Sequence, residues 1–184
     1  MHGKQRRFLS SLTQKQTHDR KSNALSPFFV SLTIYPILHM ATRSRIGLQL
    51  TDDAILSVYH HWDGYPEWLG VTLKAKFNTR EKVAELIDGG DISCCDSDTN
   101  WNLEKVENHV QYYNDRGDNT EPRLDLNFDE YVENPANDAE YVYIFTLDHE
   151  WECYAVDQKY NKDFTEVLQT NVVPKEIPSE VPAE

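Results

Sequence analysis

The sequence predicts an α+β fold: an antiparallel sheet of five or six strands with two helices packed on one face. Three observations lead to it. Short runs at both ends of the patterned region alternate apolar and polar residues, the period of a half-buried strand. Two consecutive stretches after the first hairpin carry apolar residues at helical spacing. The segments between are rich in Gly, Asn, Asp and Pro, which interrupt regular structure.

Arg45 to Leu50 opens the pattern, with Ile46, Leu48 and Leu50 on one face. Thr51-Asp52-Asp53-Ala54 is a polar turn, and Ile55 to His61 is a second β-prone run, so the pair reads as a hairpin. Asp63-Gly64-Tyr65-Pro66 ends the strand, with Gly64 free to take positive φ and Pro66 suited to the first position of a helix. Glu67 to Phe77 then places Leu69, Leu73 and Phe77 four residues apart on one helical stripe. Asn78 and Glu81 have capping-box spacing for the next helix, which buries Val83, Leu86 and Ile87 and ends at Gly89-Gly90, Gly89 taking the left-handed position.

Asp91 to Lys105 is polar and reads as a loop. Val106 to Tyr113 reads as a strand, and Asn114-Asp115-Arg116-Gly117-Asp118 as a tight turn. Leu124, Leu126 and Phe128 alternate as a strand would. Tyr141 to Leu147 and Trp151 to Val156 are strands joined by Asp148-His149-Glu150, and Phe164 to Leu168 forms one more short element. Pro174 to Glu184, with three Pro and three Glu, reads as a disordered tail.

These elements place a single acidic domain at 40–157, a C-terminal segment at 158–184 that is disordered from about residue 174, and a basic N-terminal extension at 1–39. Phe28 to Leu38 follows a basic stretch as a signal-peptide core would. Ser31, Thr33 and Pro36 interrupt the run, and it is too short to span a bilayer. Met40-Ala41-Thr42 reads as a natural start just before the first strand, which makes residues 1–39 disordered or non-native upstream sequence rather than a leader or a basic arm.

Charge separates the same regions. The 184 residues carry a net charge of −13 at a mean hydropathy of −0.67, yet residues 1–39 hold six Lys/Arg against Asp19 alone. Glu85 to Asp157 holds 20 acids and only Lys105, Arg116 and Arg123. Such a surface repels nucleic acid and anionic membrane and attracts a basic partner. The hydrophobic fraction, 39%, is lean, but 11% aromatics bury large areas and make a small core feasible. The three cysteines, Cys94, Cys95 and Cys153, make no CxxC pair and no even-numbered framework, so a reducing compartment is expected.

Together, His61-Trp62-Asp63-Gly64-Tyr65-Pro66, the Gly70-x-x-Leu73 helix, Gly90-Asp91-Ile92-Ser93, Tyr113-Asn114-Asp115-Arg116-Gly117-Asp118 and Glu140-Tyr141-x-Tyr143-x-Phe145 resemble a family of small proteins of tailed bacteriophages and prophages. The resemblance covers Arg43 to about Val156 and is most specific at the His-Trp-Asp-Gly-Tyr-Pro run. The chain departs from it at Asn114 and Asp118 and in a longer acidic stretch before Glu140. The resemblance implies a phage-infected bacterial cytoplasm as the setting and carries over no catalytic residue.

Site candidates follow from residue chemistry. In a regular strand His60 and His61 face opposite ways, and His61 shares a face with Asp63, a carboxylate–imidazole pair suited to acid–base work. The plainer reading packs Trp62 and Tyr65, turns at Gly64 and caps the helix with Asp63. Arg116 lies between Asp115 and Asp118, free to meet a phosphate or carboxylate or neutralised by those neighbours. His60, His61, His109, His149 and the cysteines lack zinc-ligand spacing, Asp96-x-Asp98 is only a fragment of a calcium loop, and Gly89-Gly90 is not a phosphate loop, so no metal and no cofactor is expected. The expected catalytic candidates are His61, Asp63 and Arg116, and the expected binding residues are His60, Trp62, Tyr65, Asp115 and Asp118.

With no recognised catalytic constellation, the sequence favours a protein that binds a host or phage protein with a basic surface, and that binds neither nucleic acid nor membrane directly. One form of this is a nucleic-acid mimic. A small hydrolase or transferase using His61, Asp63 and Arg116, and a virion or assembly component, are the alternatives.

Overall fold

The computed structural model describes residues 41–51, 53–133, 139–163 and 165–181. These lie within one compact unit, Leu38–Glu184, and the expectation for residues 1–39 falls outside the described residues.

The fold is α+β. Among the described residues eight strands form one mixed sheet: β1 (Ser44–Gln49), β2 (Ile55–His60), β3 (Ile92–Thr99), β4 (Lys105–Tyr112), β5 (Arg123–Asp125), β6 (Tyr141–Phe145), β7 (Trp151–Tyr160) and β8 (Val167–Lys175). Their order is β4-β3-β2-β1-β6-β7-β8, with β5 paired to β2. The expected purely antiparallel sheet of five or six strands is therefore corrected. β1 runs parallel to β6, and β2 meets β3 in parallel at His60 and Ile92.

Among the described residues three short helices accompany the sheet: α1 (Val71–Lys76), led by a π-helical turn at Pro66–Gly70, α2 (Arg80–Asp88) and α3 (Phe128–Glu133). They do not share one face. Leu69, Leu73, Val83, Leu86 and Ile87 pack with Ile46, Leu48, Val58, Tyr143 and Phe145. Tyr131 and Val132 of α3 pack with Ile55, Val142, Ile144 and Val156 in a second cluster. Val142 and Ile144 alternate with Tyr143 and Phe145 along β6, so the two clusters lie on opposite faces of the sheet.

Several local expectations change. Thr79, not Asn78, caps α2, its hydroxyl accepting from the Lys82 amide, while Asn78 accepts from the Lys82 ammonium. Gly90, at φ +85°, is the left-handed glycine, and Gly89 remains helical. The segment expected as a loop contains β3, whose ladder with β4 carries three register irregularities. Phe128 opens α3 rather than ending a strand, because Phe128, Tyr131 and Val132 have helical spacing.

The C-terminal segment also differs from expectation. Pro174 and Lys175 complete β8, an edge strand, where a missing amide does least harm. Ile177 is then buried in the main core, its carbonyl accepting from Lys74 Nζ at 2.8 Å. Among the described residues no helix is long and apolar enough to cross a membrane.

Candidate functional site: an aromatic and guanidinium patch

The corner after β2 is held by backbone contacts. Beyond the strand, the His61 and Trp62 amides donate to the Ile92 and Ser93 carbonyls at 3.0 Å each. Asp63 then takes φ +59°, so the left-handed residue is Asp63 and not Gly64. Gly64 meets a different need. Its amide donates to the Thr42 carbonyl, its carbonyl accepts from the Tyr143 hydroxyl, and an added Cβ would lie 2.7 Å from Thr42 O.

This corner separates the two histidines. His60 is 1% exposed, and its Nδ1 lies 3.1 Å from Oγ of the equally buried Ser44. Burial, reinforced by the nearby His61, lowers its pKa to about 3, so it is neutral at ordinary pH. His60 is thus inaccessible to a partner, which corrects its place among the binding residues. His61 lies on the other face with Tyr59, whose hydroxyl is 2.8 Å from His61 Nδ1. Burial and the positive charge of Arg43 push the His61 pKa down. A dominant carboxylate partner would push it the other way.

Asp63 leaves the strand conformation at its positive φ, so the alternation that would pair it with His61 does not extend to it. It does not cap the next helix either. The cap position is Tyr65, with no side-chain cap bond, and Pro66 follows at the first turn. Tyr65 contributes its carbonyl, which accepts from the Trp68 and Leu69 amides.

The 3₁₀ turn at Tyr113–Arg116 provides the rest of the patch. Its position is set by Asn114, whose Nδ2 donates to the Gly89 and Thr120 carbonyls and whose Oδ1 accepts from the Thr120 amide. Gly117, at φ +97°, closes the turn. Tyr113 then stands edge-on to His61, ring centres 6.5 Å apart, and 5.7 Å from Trp101 of the β3–β4 connection. Trp101 is fixed by its indole N–H, which donates to the Tyr112 carbonyl at 2.7 Å. The Arg116 guanidinium lies against both rings, 4.7 Å from Trp101 and 4.6 Å from Tyr113, and Nε pairs with the Asp118 carboxylate. Trp62 stacks edge-on against His61 at 4.7 Å and is 44% exposed.

His61 and Arg116 are therefore brought to one surface through Tyr113, joined by Trp62 and by Trp101, a residue sequence reasoning missed. Its signal was a lone Trp in an otherwise polar connection, where a large aromatic needs a packing partner. Asp115 is exposed on the same turn, and Asp118 serves as the counter-ion of Arg116.

The cysteines are poorly placed to act as nucleophiles. Cys95 and Cys153 are buried, and burial raises the Cys94 thiol pKa. Among the described residues, no three of His, Cys, Asp and Glu gather in a group that would hold a metal ion. The chain matches no known family model, no curated protein sequence and no solved structure.

Proposed function

We propose that this domain is a non-enzymatic, phage-type accessory protein of the infected bacterial cytoplasm, and that it binds a host or phage protein through the patch of His61, Trp62, Trp101, Tyr113 and Arg116. The observation that carries the reading is the Arg116 guanidinium held against Trp101 and Tyr113 beside the exposed Trp62. Trp, Tyr and Arg are the residue types that dominate binding energy at protein interfaces, and pre-packing lowers the entropy lost on association. Asp63, Asp115 and Asp118 lie beside this centre in sequence, in keeping with a partner of basic surface steered by charge. Mimicry of nucleic-acid phosphates is the form of this reading that rests on the acidic balance alone.

An enzyme using His61, Asp63 and Arg116 has less support. Arg116 already has a carboxylate partner, and the strand geometry that would align Asp63 with His61 ends before Asp63. The test is quantitative capture of partner proteins from infected-cell lysate by the wild-type chain, by Trp62→Ala and Arg116→Ala, and by the remote control Leu126→Ala. The expected result is loss of one set of captured proteins with both patch variants and retention with the control. Equal capture by all four chains would overturn the proposal.

A further inference from the structure

The two edges of the sheet are built differently. At the β4 edge the ladder with β3 has three irregularities, Asn108 sits at φ +56°, and Lys105 and Glu107 place charge on the strand. Bulges and charges of this kind discourage a second chain from adding to an edge. Between Gln169 and Val173 β8 has none of these, and its one register shift lies between Gln169 and Val167. Residues 167–173, Val-Leu-Gln-Thr-Asn-Val-Val, carry no charge, and their pairing with β7 is regular from Lys175 to Gln169. Leu168 is 64% exposed and Val173 43% exposed.

We propose that the outer edge of β8 is where two copies of this chain pair, antiparallel about Thr170. The argument is independent of the aromatic patch. With a net charge of −13, two copies repel over most of their surface and approach most readily where charge is absent, which describes this strand. The sequence suits its own reversal. Pairing about Thr170 sets Gln169 opposite Asn171 and brings Leu168 and Val167, beyond the register shift, toward Val172 and Val173 of the other copy. Apolar meets apolar and amide meets amide, as a two-fold interface requires. Thr170 meets its own counterpart. Backbone pairing gives the outward amides and carbonyls of β8 the partners that water otherwise provides.

The test is analytical ultracentrifugation of the full chain over a concentration series, with amide hydrogen exchange on the same samples. A concentration-dependent dimer is expected, with exchange slowing along Val167–Val173 as the dimer fills. Gln169→Lys combined with Asn171→Lys places lysines opposite lysines and should abolish the dimer, as should Gln169→Glu with Asn171→Glu. Both positions are exposed, so the fold should survive. Mixing the two double variants should restore a dimer through complementary charge. A wild-type chain that stays monomeric throughout, exchange along β8 that does not respond to concentration, or a dimer that survives in both double variants would overturn the proposal.

Discussion

The guanidinium of Arg116 lies 4.6 Å from the centre of the Tyr113 ring, on a turn whose neighbouring side chains hold it in place. The contact is exposed, so it contributes little to folding, about 0.5–1 kcal/mol. Arg116→Ala should therefore shift the urea unfolding midpoint only slightly. If the patch is the contact face, the same change should weaken partner capture tenfold or more, the cost of removing an interface anchor. Arg116→Lys should recover little of that binding, because an ammonium does not reproduce the planar stacking of a guanidinium. Binding titrations of the three chains beside unfolding curves would separate the two effects.

His60 sets an acid limit on stability. Its pKa is near the ordinary histidine value of 6.5 when unfolded and about 3 in the folded chain. Between those values the unfolded chain holds one more proton, so stability rises with pH through that window. It is fully present above pH 6.5 and declines as the pH falls toward 3, by a little over 1 kcal/mol per pH unit. His60→Gln should lower stability at pH 7 and flatten this part of the profile. Unfolding free energies at several pH values for both chains would reveal it, and parallel profiles would count against the assignment.

These two residues show how legible the sequence was. His60 and His61 face opposite ways, as strand geometry predicts: His60 is buried and His61 sits beside Tyr59. The burial of His60 was not readable, since it depends on the helices packed over that face. Arg116 was readable as a cation in an acidic region, but its meeting with Trp101 and Tyr113 was not. That contact depends on β3, whose sequence Ile-Ser-Cys-Cys-Asp-Ser-Asp-Thr lacks a strand signal. The strand forms beside β2 and β4 although its ladder is irregular, a case of tertiary context overriding local preference. The alternation of Leu124, Leu126 and Phe128 is strand only around Leu124, in β5, and its third residue begins α3. Leu124 and Leu126, the other two, are exposed.

Ile177 is the residue through which the C-terminal segment joins the core. It is 4% exposed, its side chain fits against Gly70, and a Cβ at Gly70 would lie 2.8 Å from it. Ile177→Ala should cost roughly 2–5 kcal/mol, the range for emptying a buried aliphatic site. A chain ending at Val173 should lose at least as much, since it also lacks the Lys74 bond to the Ile177 carbonyl. Thermal unfolding of both is the measurement. Wild-type stability in the shortened chain would mean that the segment is a dispensable tail.

On the opposite face, Asp125 lies in a buried cluster with two guanidinium groups. It pairs with Arg123 at 2.9 Å and is 1% exposed. Arg45, also buried, donates to Ser57 Oγ at 2.9 Å through its terminal nitrogen. Burial and the charge of Arg123 lower the Arg45 pKa, with Asp125 among the groups that offset them. Asp125→Asn leaves the buried Arg45 and the partly buried Arg123 without that carboxylate and should cost about 3–5 kcal/mol. Arg45→Met removes one of the cations and keeps a long apolar stem, so it should cost less alone. Combined with Asp125→Asn, it should recover part of the loss, because the repulsion it relieves is largest when the carboxylate is gone. A double-mutant cycle by chemical denaturation isolates that coupling. Strictly additive effects would mean that Arg45 is held by Ser57 alone and does not sense the charge of Asp125.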